Sequence, residues 1–421
     1  MTTSDELLDR LIRLPVAAPL LPVLRGIPEA WVVGGAVRDL LLGGAPVDLD
    51  LVVVGDAEAV ARRLAEALGG ELQVHDRFGT ATVRAGGRSW DVVRARAETY
   101  PPPGALPEVR PGTLEEDLAR RDFTVNAIAL ALDGRLAAVP HALEDLEAGR
   151  LRVLHDASFR DDPTRLLRLV RYGSRLRFAP EPATAALAEE ALAAGVLGTV
   201  TGTRIGAELR LLLREPAAAE ALATVARWGG GEALVPGLGF DAALARRARA
   251  LLPADGRYDL LLLATACLRV RPVALTAWLD GLGFAARERD TVAAAAGGAR
   301  RAADRLRALV AGGEPRPSEV AAVLRGQPVE LASLAGALAG GGAEAGRAQA
   351  GRGAAAEAAV RRWLQHDRHV RLEIGGDDLR AAGMPQGEGI GRALAGALAA
   401  KLDGAADGAD AELAAALAAV R

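Results

Sequence analysis

Trp31-Val32-Val33-Gly34-Gly35-Ala36-Val37-Arg38-Asp39, followed by Val47-Asp48-Leu49-Asp50-Leu51-Val52-Val53-Val54, decides how this chain is read. The first piece is an aromatic and β-branched run that meets two glycines, which predicts a strand turning directly into a helix from Ala36. The second alternates acid and apolar residues and ends as a continuous apolar run, which predicts another strand over 47–54. Alternate residues of a strand project from one face, so Asp48 and Asp50 share a side, about 7 Å apart along the chain. Two carboxylates on one face are costly unless something positive sits between them. A pair of Mg²⁺ ions meets that demand, because hard divalent cations take carboxylate oxygens together with substrate phosphate oxygens. Such metals can activate an attacking hydroxyl and neutralise a departing pyrophosphate. A solvated sheet face with two ordinary acids is the plain alternative.

The glycines weigh against that alternative. At a strand end before a helix, Gly34 and Gly35 let backbone N–H groups approach a phosphate at a positive helix terminus. Arg38, one turn in, can fork onto phosphate oxygens. The spacing fits neither the six-residue glycine pattern of dinucleotide sheets nor a P-loop, which needs a lysine this region lacks.

Working outward, residues 5–26 read as helical pieces broken by Pro15, Pro19 and Pro22. A helix is expected over about 56–68 and strands over Thr80–Arg84 and Ser89–Arg94. Tyr100 to Gly112 reads as a loop, ahead of Leu114–Leu118 and of Phe123–Leu132, which closes the region. The first 140 or so residues are therefore a small α/β domain, and beyond about 142 the chain is rich in Ala, Leu and Arg at helical spacing. The fold class expected is α+β: a nucleotide-handling head with a mixed sheet over 1–140, then all-helical parts over 141–225, 226–335 and 355–421. The Gly- and Ala-dense stretch Gly336 to Gly353 is the expected linker.

Composition narrows the options. The 421 residues carry 51 Lys+Arg against 54 Asp+Glu, and Lys401 is the sole lysine. Bulk charge does not suit a protein that coats nucleic acid, so any such contact needs arginines gathered locally. Only 3% of residues are aromatic, which argues against a β-sandwich or barrel along the whole length. One cysteine, Cys267, and five scattered histidines (His75, His141, His155, His366 and His369) build neither a disulfide nor a four-ligand zinc site. No apolar run suits a membrane span, and MTTSDELLDR has acids where a signal peptide is basic, so a reducing, cytoplasmic setting is expected.

The stretch GGAVRDLLLGGAPVDLDLVV resembles the signature of the DNA polymerase β-like nucleotidyltransferases, in the branch of bacterial tRNA nucleotidyltransferases and poly(A) polymerases. Further stretches are similar in order. Arg120-Arg121-Asp122-Phe123-Thr124-Val125-Asn126-Ala127 resembles the family's second motif, and Asp161-Asp162-Pro163-Thr164-Arg165-Leu166-Leu167-Arg168-Leu169-Val170-Arg171 its nucleotide-selecting motif. The loop from Glu98-Thr99-Tyr100 through Pro107-Glu108-Val109 is also similar. So is the tail from Ile374 through Ile390-Gly391, which has Gln386-Gly387-Glu388 where the family has Pro-Gly-Pro.

The resemblance implies addition of C and/or A from CTP or ATP to the 3′ end of tRNA, with Mg²⁺ on Asp48 and Asp50 and no nucleic-acid template. It further implies nucleotide contacts from Gly34, Gly35, Arg38, Arg121, Asp162, Arg165, Arg168 and Arg171. On a helix, Arg165, Arg168, Arg171 and Arg175 share one flank while Leu166, Leu167, Leu169 and Val170 face away. Asp162, one turn earlier, adjoins the arginines. The plain reading is an Asp162–Arg165 surface pair worth a few tenths of a kcal/mol. The functional reading is that a carboxylate acceptor beside a guanidinium donor complements the base edges of C and A. Uracil and guanine reverse that order and leave Asp162 facing a carbonyl.

Asp122 and Asn126 are expected to hold a turn, Arg204 and Glu208 to form an i,i+4 ion pair, and Asp91 to serve either as a third carboxylate or as an outward acid. CC-only addition, A-only addition and poly(A) synthesis are the rival activities, and a catalytically silent tRNA-binding protein the rival class. No membrane, DNA or obligate protein partner is expected. Between Arg150 and Phe178 eight arginines meet three aspartates, so a chain of net charge −3 is locally basic.

Overall fold

The computed structural model describes residues 4–27, 29–75, 79–341 and 347–420, the last without the side chains of 347–350. The chain divides into two units, residues 1–208 and 209–421.

The first unit is built on a seven-stranded mixed sheet. Its strands in chain order are β1 (Ala30–Val33), β2 (Asp50–Val53), β3 (Glu71–His75), β4 (Thr80–Ala85) and β5 (Arg88–Arg94). A separate two-stranded ribbon follows, β6 (Arg96–Thr99) with β7 (Glu108–Pro111), and then β8 (Ile128–Ala131) and β9 (Leu136–Ala138) complete the sheet. The order is β3-β4-β5-β2-β1-β8-β9, antiparallel except for β2 against β5. Central β1 and β8 are buried at every position, which is why their sequences are continuous apolar runs.

The helix expected after the glycines is Gly35–Leu41, and the next is Ala57–Leu68, whose start is capped by Asp56 accepting from the Ala59 N–H. Two expectations change. The strand expected over 47–54 begins at Asp50: Val47 is 80% exposed and pairs with nothing in the sheet, although Leu49 is still buried between Asp48 and Asp50. Within the stretch expected to be loop, Glu108–Pro111 pairs with Arg96–Thr99, because only its middle is too proline-rich to join a ladder. After the sheet come helices including Ser158–Asp161, Thr164–Leu176 and Pro182–Ala193.

The second unit is helical. The long helix Ala286–Ala311 packs against Val329–Ala339, which also meets Ala242–Leu251 and Arg347–Gln365. Gly336 and Gly353, expected in a linker, lie inside two of these helices. A Cβ on Gly336 would stand 2.8 Å from Leu251 Cδ1, so glycine here permits close helix packing rather than chain freedom. Residues 342–346 of that expected linker lie outside the described residues. The tail helices Gly376–Ala381, Glu388–Leu402 and Ala409–Ala418 enclose a core of their own containing Ile374, Leu379, Ala393, Ala397 and Ala416.

Candidate active site

The register of the sheet builds the site. Val33 pairs with Asp50, and Asp50 in turn with Asp91 on parallel β5, so the end of β1 and two carboxylates stand side by side. The chain then leaves β1 through Gly34 at φ +70°, with its N–H bonded to the Ile128 carbonyl. Glycine adopts that conformation without strain, and a Cβ there would stand 2.8 Å from Arg121 Nη1. Burial lifts the Asp50 carboxyl above the ordinary carboxylate range; Arg121 opposes the shift, and Asp91 and Asp48 add to it. These four side chains therefore share one field, and Asp91 sits beside Asp50, held by a 2.7 Å bond from the Thr82 hydroxyl.

A cavity of about 360 Å³ opens next to this cluster. Of the residues expected at a site, Gly34, Gly35, Asp50, Arg121, Asp162, Arg165 and Arg168 line it; Asp48, Arg38 and Arg171 do not. Arg38 lies behind the cavity wall rather than in it. It is 2% exposed, with Nε and Nη2 on Asp39 Oδ1 (2.8 and 2.7 Å) and Nη1 on Asn126 Oδ1 (2.5 Å). These bonds tie the helix that follows the glycine turn to Asn126. Arg171 is likewise buried, against Glu208 (3.4 Å) and over the Tyr172 ring.

Asp122 and Asn126 hold their turn as expected. Asp122 Oδ1 accepts from the Phe123 N–H (2.8 Å) and from Asn126 Nδ2 (2.9 Å), and Oδ2 accepts from Arg168 Nε (2.8 Å). Burial alone would raise the Asp122 carboxyl, but Arg168, Asn126, Arg165 and the Phe123 N–H outweigh it and hold it below its usual range. Asp122 in turn raises Arg168, which stays charged at any ordinary pH.

The Asp162–Arg165 surface pair of the plain reading does not form. Pro163 separates Asp162 from the helix Thr164–Leu176, and Asp162 accepts instead from Thr164 N, Thr164 Oγ1 and Arg204 Nη2. Arg165, 4% exposed, donates to Ser158 Oγ (2.6 Å) and to the Arg120 carbonyl (2.7 Å). The i,i+4 pair expected between Arg204 and Glu208 is also absent. Arg204 reaches Asp162 and the Gly104 carbonyl (2.8 Å), and Glu208 lies 3.6 Å from Arg168. Spacing alone did not reveal these tertiary partners; the signal was an arginine near a helix start in a region already rich in arginine. Glu98, Tyr100 and Tyr172 also line the cavity, with Glu98 paired to Arg96 and Arg120 and bonded by the Tyr100 hydroxyl.

Residues 30–152 match the family of the poly A polymerase head domain, which makes this part of the chain a nucleotidyltransferase head. The A-adding tRNA nucleotidyltransferase of Halalkalibacterium halodurans is 47% identical over 192 residues, 44% of this chain and 45% of that protein. The CC-adding tRNA nucleotidyltransferase of Deinococcus radiodurans is 45% identical over 244 residues, 56% of this chain and 64% of that one. The chain thus spans less than two thirds of either relative's length. Among solved structures, the Thermotoga maritima CCA-adding enzyme complexed with tRNA superposes with a TM-score of 0.80 at 26% identity, covering 100% of this chain and 99% of that one. Over residues 30–152 the chain carries the poly A polymerase head domain, and beyond it the chain is similar to bacterial tRNA nucleotidyltransferases.

Nucleotidyltransferases of this family use a divalent metal. The donor set here fits one: Asp50 has Asp91 and Asp48 in its field and a single guanidinium, Arg121, opposing them. Among the described residues no three His, Cys, Asp or Glu side chains close into a cage. An open set of carboxylates is what a small hard cation needs when phosphate and water complete its shell. No described helix is long and apolar enough to cross a membrane.

Proposed function

We propose that the chain adds C and/or A from CTP and ATP to the 3′ end of tRNA without a nucleic-acid template. The observation that carries this reading is one cavity lined both by Asp50 with Gly34 and Gly35 and by Asp162 with Arg165. In the reaction the tRNA 3′ oxygen bonds to the α-phosphorus as the bond to pyrophosphate breaks, and the hydroxyl proton leaves to solvent. Asp48 and Asp50 would hold Mg²⁺, which when bound would supply nucleophile activation and neutralisation of the leaving group. Gly34 and Gly35 admit the triphosphate close to the backbone, Arg121 draws it in, and Arg168 adds positive charge beside the base. Asp162 accepts from the amino group of C or A while Arg165 donates to the neighbouring ring acceptor. UTP and GTP leave Asp162 facing a carbonyl, a mismatch of about 1–3 kcal/mol. Catalysis then comes from positioning and charge neutralisation, as in phosphoryl transfer generally.

We assign chemistry to the head, residues 1–140, base selection to the neck, 141–225, and tRNA holding to the body, 226–335, and tail, 355–421. The lone buried Cys267 suits a reducing compartment, and we place the reaction in the cytoplasm. Relatives named for A addition and for CC addition give the two narrower readings their support. Sequencing the products from tRNAs ending before, within and after C-C separates them. Growth of all three starts to C-C-A is expected; addition from only one start selects a narrower activity, and long A tails or no Mg²⁺-dependent addition overturns the reading.

A further inference from the structure

We propose that two hydroxyls, those of Thr164 and Ser158, set the orientation of the Asp162–Arg165 pair and thereby its selectivity for C and A. The proposal rests on the reading of that pair as the base-selecting element. Three bonds to Asp162 all fall on Oδ1: from Thr164 Oγ1 (2.6 Å), from Thr164 N (3.0 Å) and from Arg204 Nη2 (2.9 Å). A carboxylate oxygen taking three donors is pinned, which leaves Oδ2 as the oxygen turned toward a base. Thr164 is 4% exposed and β-branched, so its hydroxyl has few rotamers to choose from. It follows Pro163, whose ring fixes the approach of Asp162 to the helix.

Arg165 is pinned from the other side. Nη1 donates to Ser158 Oγ (2.6 Å) and Nη2 to the Arg120 carbonyl (2.7 Å), so two acceptors from separate segments define the guanidinium plane. Ser158 is fully buried and comes from the short helix that precedes Asp162. One N–H on each terminal nitrogen and the Nε–H remain for a ligand. Neither Thr164 nor Ser158 lines the cavity, so both act through Asp162 and Arg165 as positioning residues. Without the Thr164 hydroxyl the carboxylate can turn about its terminal torsion, and the spacing of acceptor and donor that rejects a uracil edge is no longer fixed.

The test is kcat and KM for CTP, ATP, UTP and GTP on tRNA lacking its 3′ end, for the full chain and for Thr164→Val, Thr164→Ser, Ser158→Ala and Asp162→Asn. Thr164→Val keeps the shape and removes the hydroxyl. The ratio of kcat/KM for CTP over UTP should fall about tenfold in Thr164→Val and about threefold or more in Ser158→Ala. The loss should appear in KM for CTP with kcat little changed, and Thr164→Ser should restore it. A merely structural role moves all four nucleotides equally and is not rescued by serine. If Thr164→Val and Ser158→Ala keep the parent's selectivity while Asp162→Asn loses it, the positioning proposal is overturned and the base-selecting reading stands. If Asp162→Asn also keeps it, the reading of the pair itself fails. Should Thr164→Val not fold, Ser158→Ala decides on the same ratio.

Discussion

The two units bury different chemistry. In the first, Arg38, Asp117, Asp122, Asp145, Arg165 and Arg171 lie in the interior, joined side chain to side chain. One chain of contacts runs Arg38–Asn126–Asp122–Arg168–Glu208–Arg171. In the second, buried charges are fewer among the described residues: Glu330 accepts the Arg257 N–H, Glu412 accepts the Glu373 and Ile374 N–H groups and pairs with Lys401, Asp367 pairs with Arg362, and the helices Ala286–Ala311 and Val329–Ala339 meet through alanine and glycine. Buried ion pairs add little net stability and demand a fixed geometry. A unit that contains many of them is built to orient charge; a unit packed through small residues is built for close contact between helices.

The comparison breaks most sharply at Asp50. Asp50→Ala should lower nucleotide transfer by at least about 10³-fold, since it removes a carboxylate of the proposed metal set. It should leave stability within about 0.5 kcal/mol or raise it, because that carboxyl is already penalised by burial and by Asp91 and Asp48. Single-turnover incorporation beside a urea melt measures both; activity within tenfold of the parent would remove Asp50 from the chemistry.

Asp122 is the converse case, where orientation and stability coincide. Asp122→Asn should cost about 2–3 kcal/mol at pH 7, the scale of hydrogen bonds to a charged group. Its folded-state carboxyl is held below the usual range, so its contribution is complete above about pH 4 and is lost as pH falls through the depressed value. The gap between parent and variant in urea unfolding should therefore narrow below pH 4. A gap that is independent of pH would show that the charge on Asp122 is not what holds the turn.

What the sequence disclosed follows the same division. The alternation around Asp48 and Asp50, the glycine turn and the two-faced helix of Arg165 were legible because each is a local period or a local punctuation. The internal bonds of Arg38 were not legible, because its partner Asn126 is 88 residues away and the contact is a tertiary fact. Arg204 and Glu208 looked like each other's partner at i,i+4, yet Asp162 and Arg168 outcompete that weak surface pairing. Gly336 and Gly353 looked like a linker because glycine serves both freedom and closeness, and only the facing helix tells which.

That ambiguity gives the smallest and cleanest contrast, within the second unit alone. Gly297 lies mid-helix in Ala286–Ala311, and a Cβ there meets nothing within 4 Å. Gly297→Ala should therefore stabilise by up to about 1 kcal/mol, the difference in helix propensity. Gly336 gains the same propensity, but its Cβ would press on Leu251 Cδ1 at 2.8 Å and Val360 Cγ1 at 2.9 Å. Overpacking costs about 1–3 kcal/mol, so Gly336→Ala should be net destabilising by about 1 kcal/mol. Thermal melts of the two variants should move in opposite directions, with nucleotide selectivity unchanged in both. Equal stabilisation would mean that the neighbours of Gly336 yield freely and that this interface is not close-packed; altered selectivity would mean that helix packing in the second unit also governs the base-selecting pair.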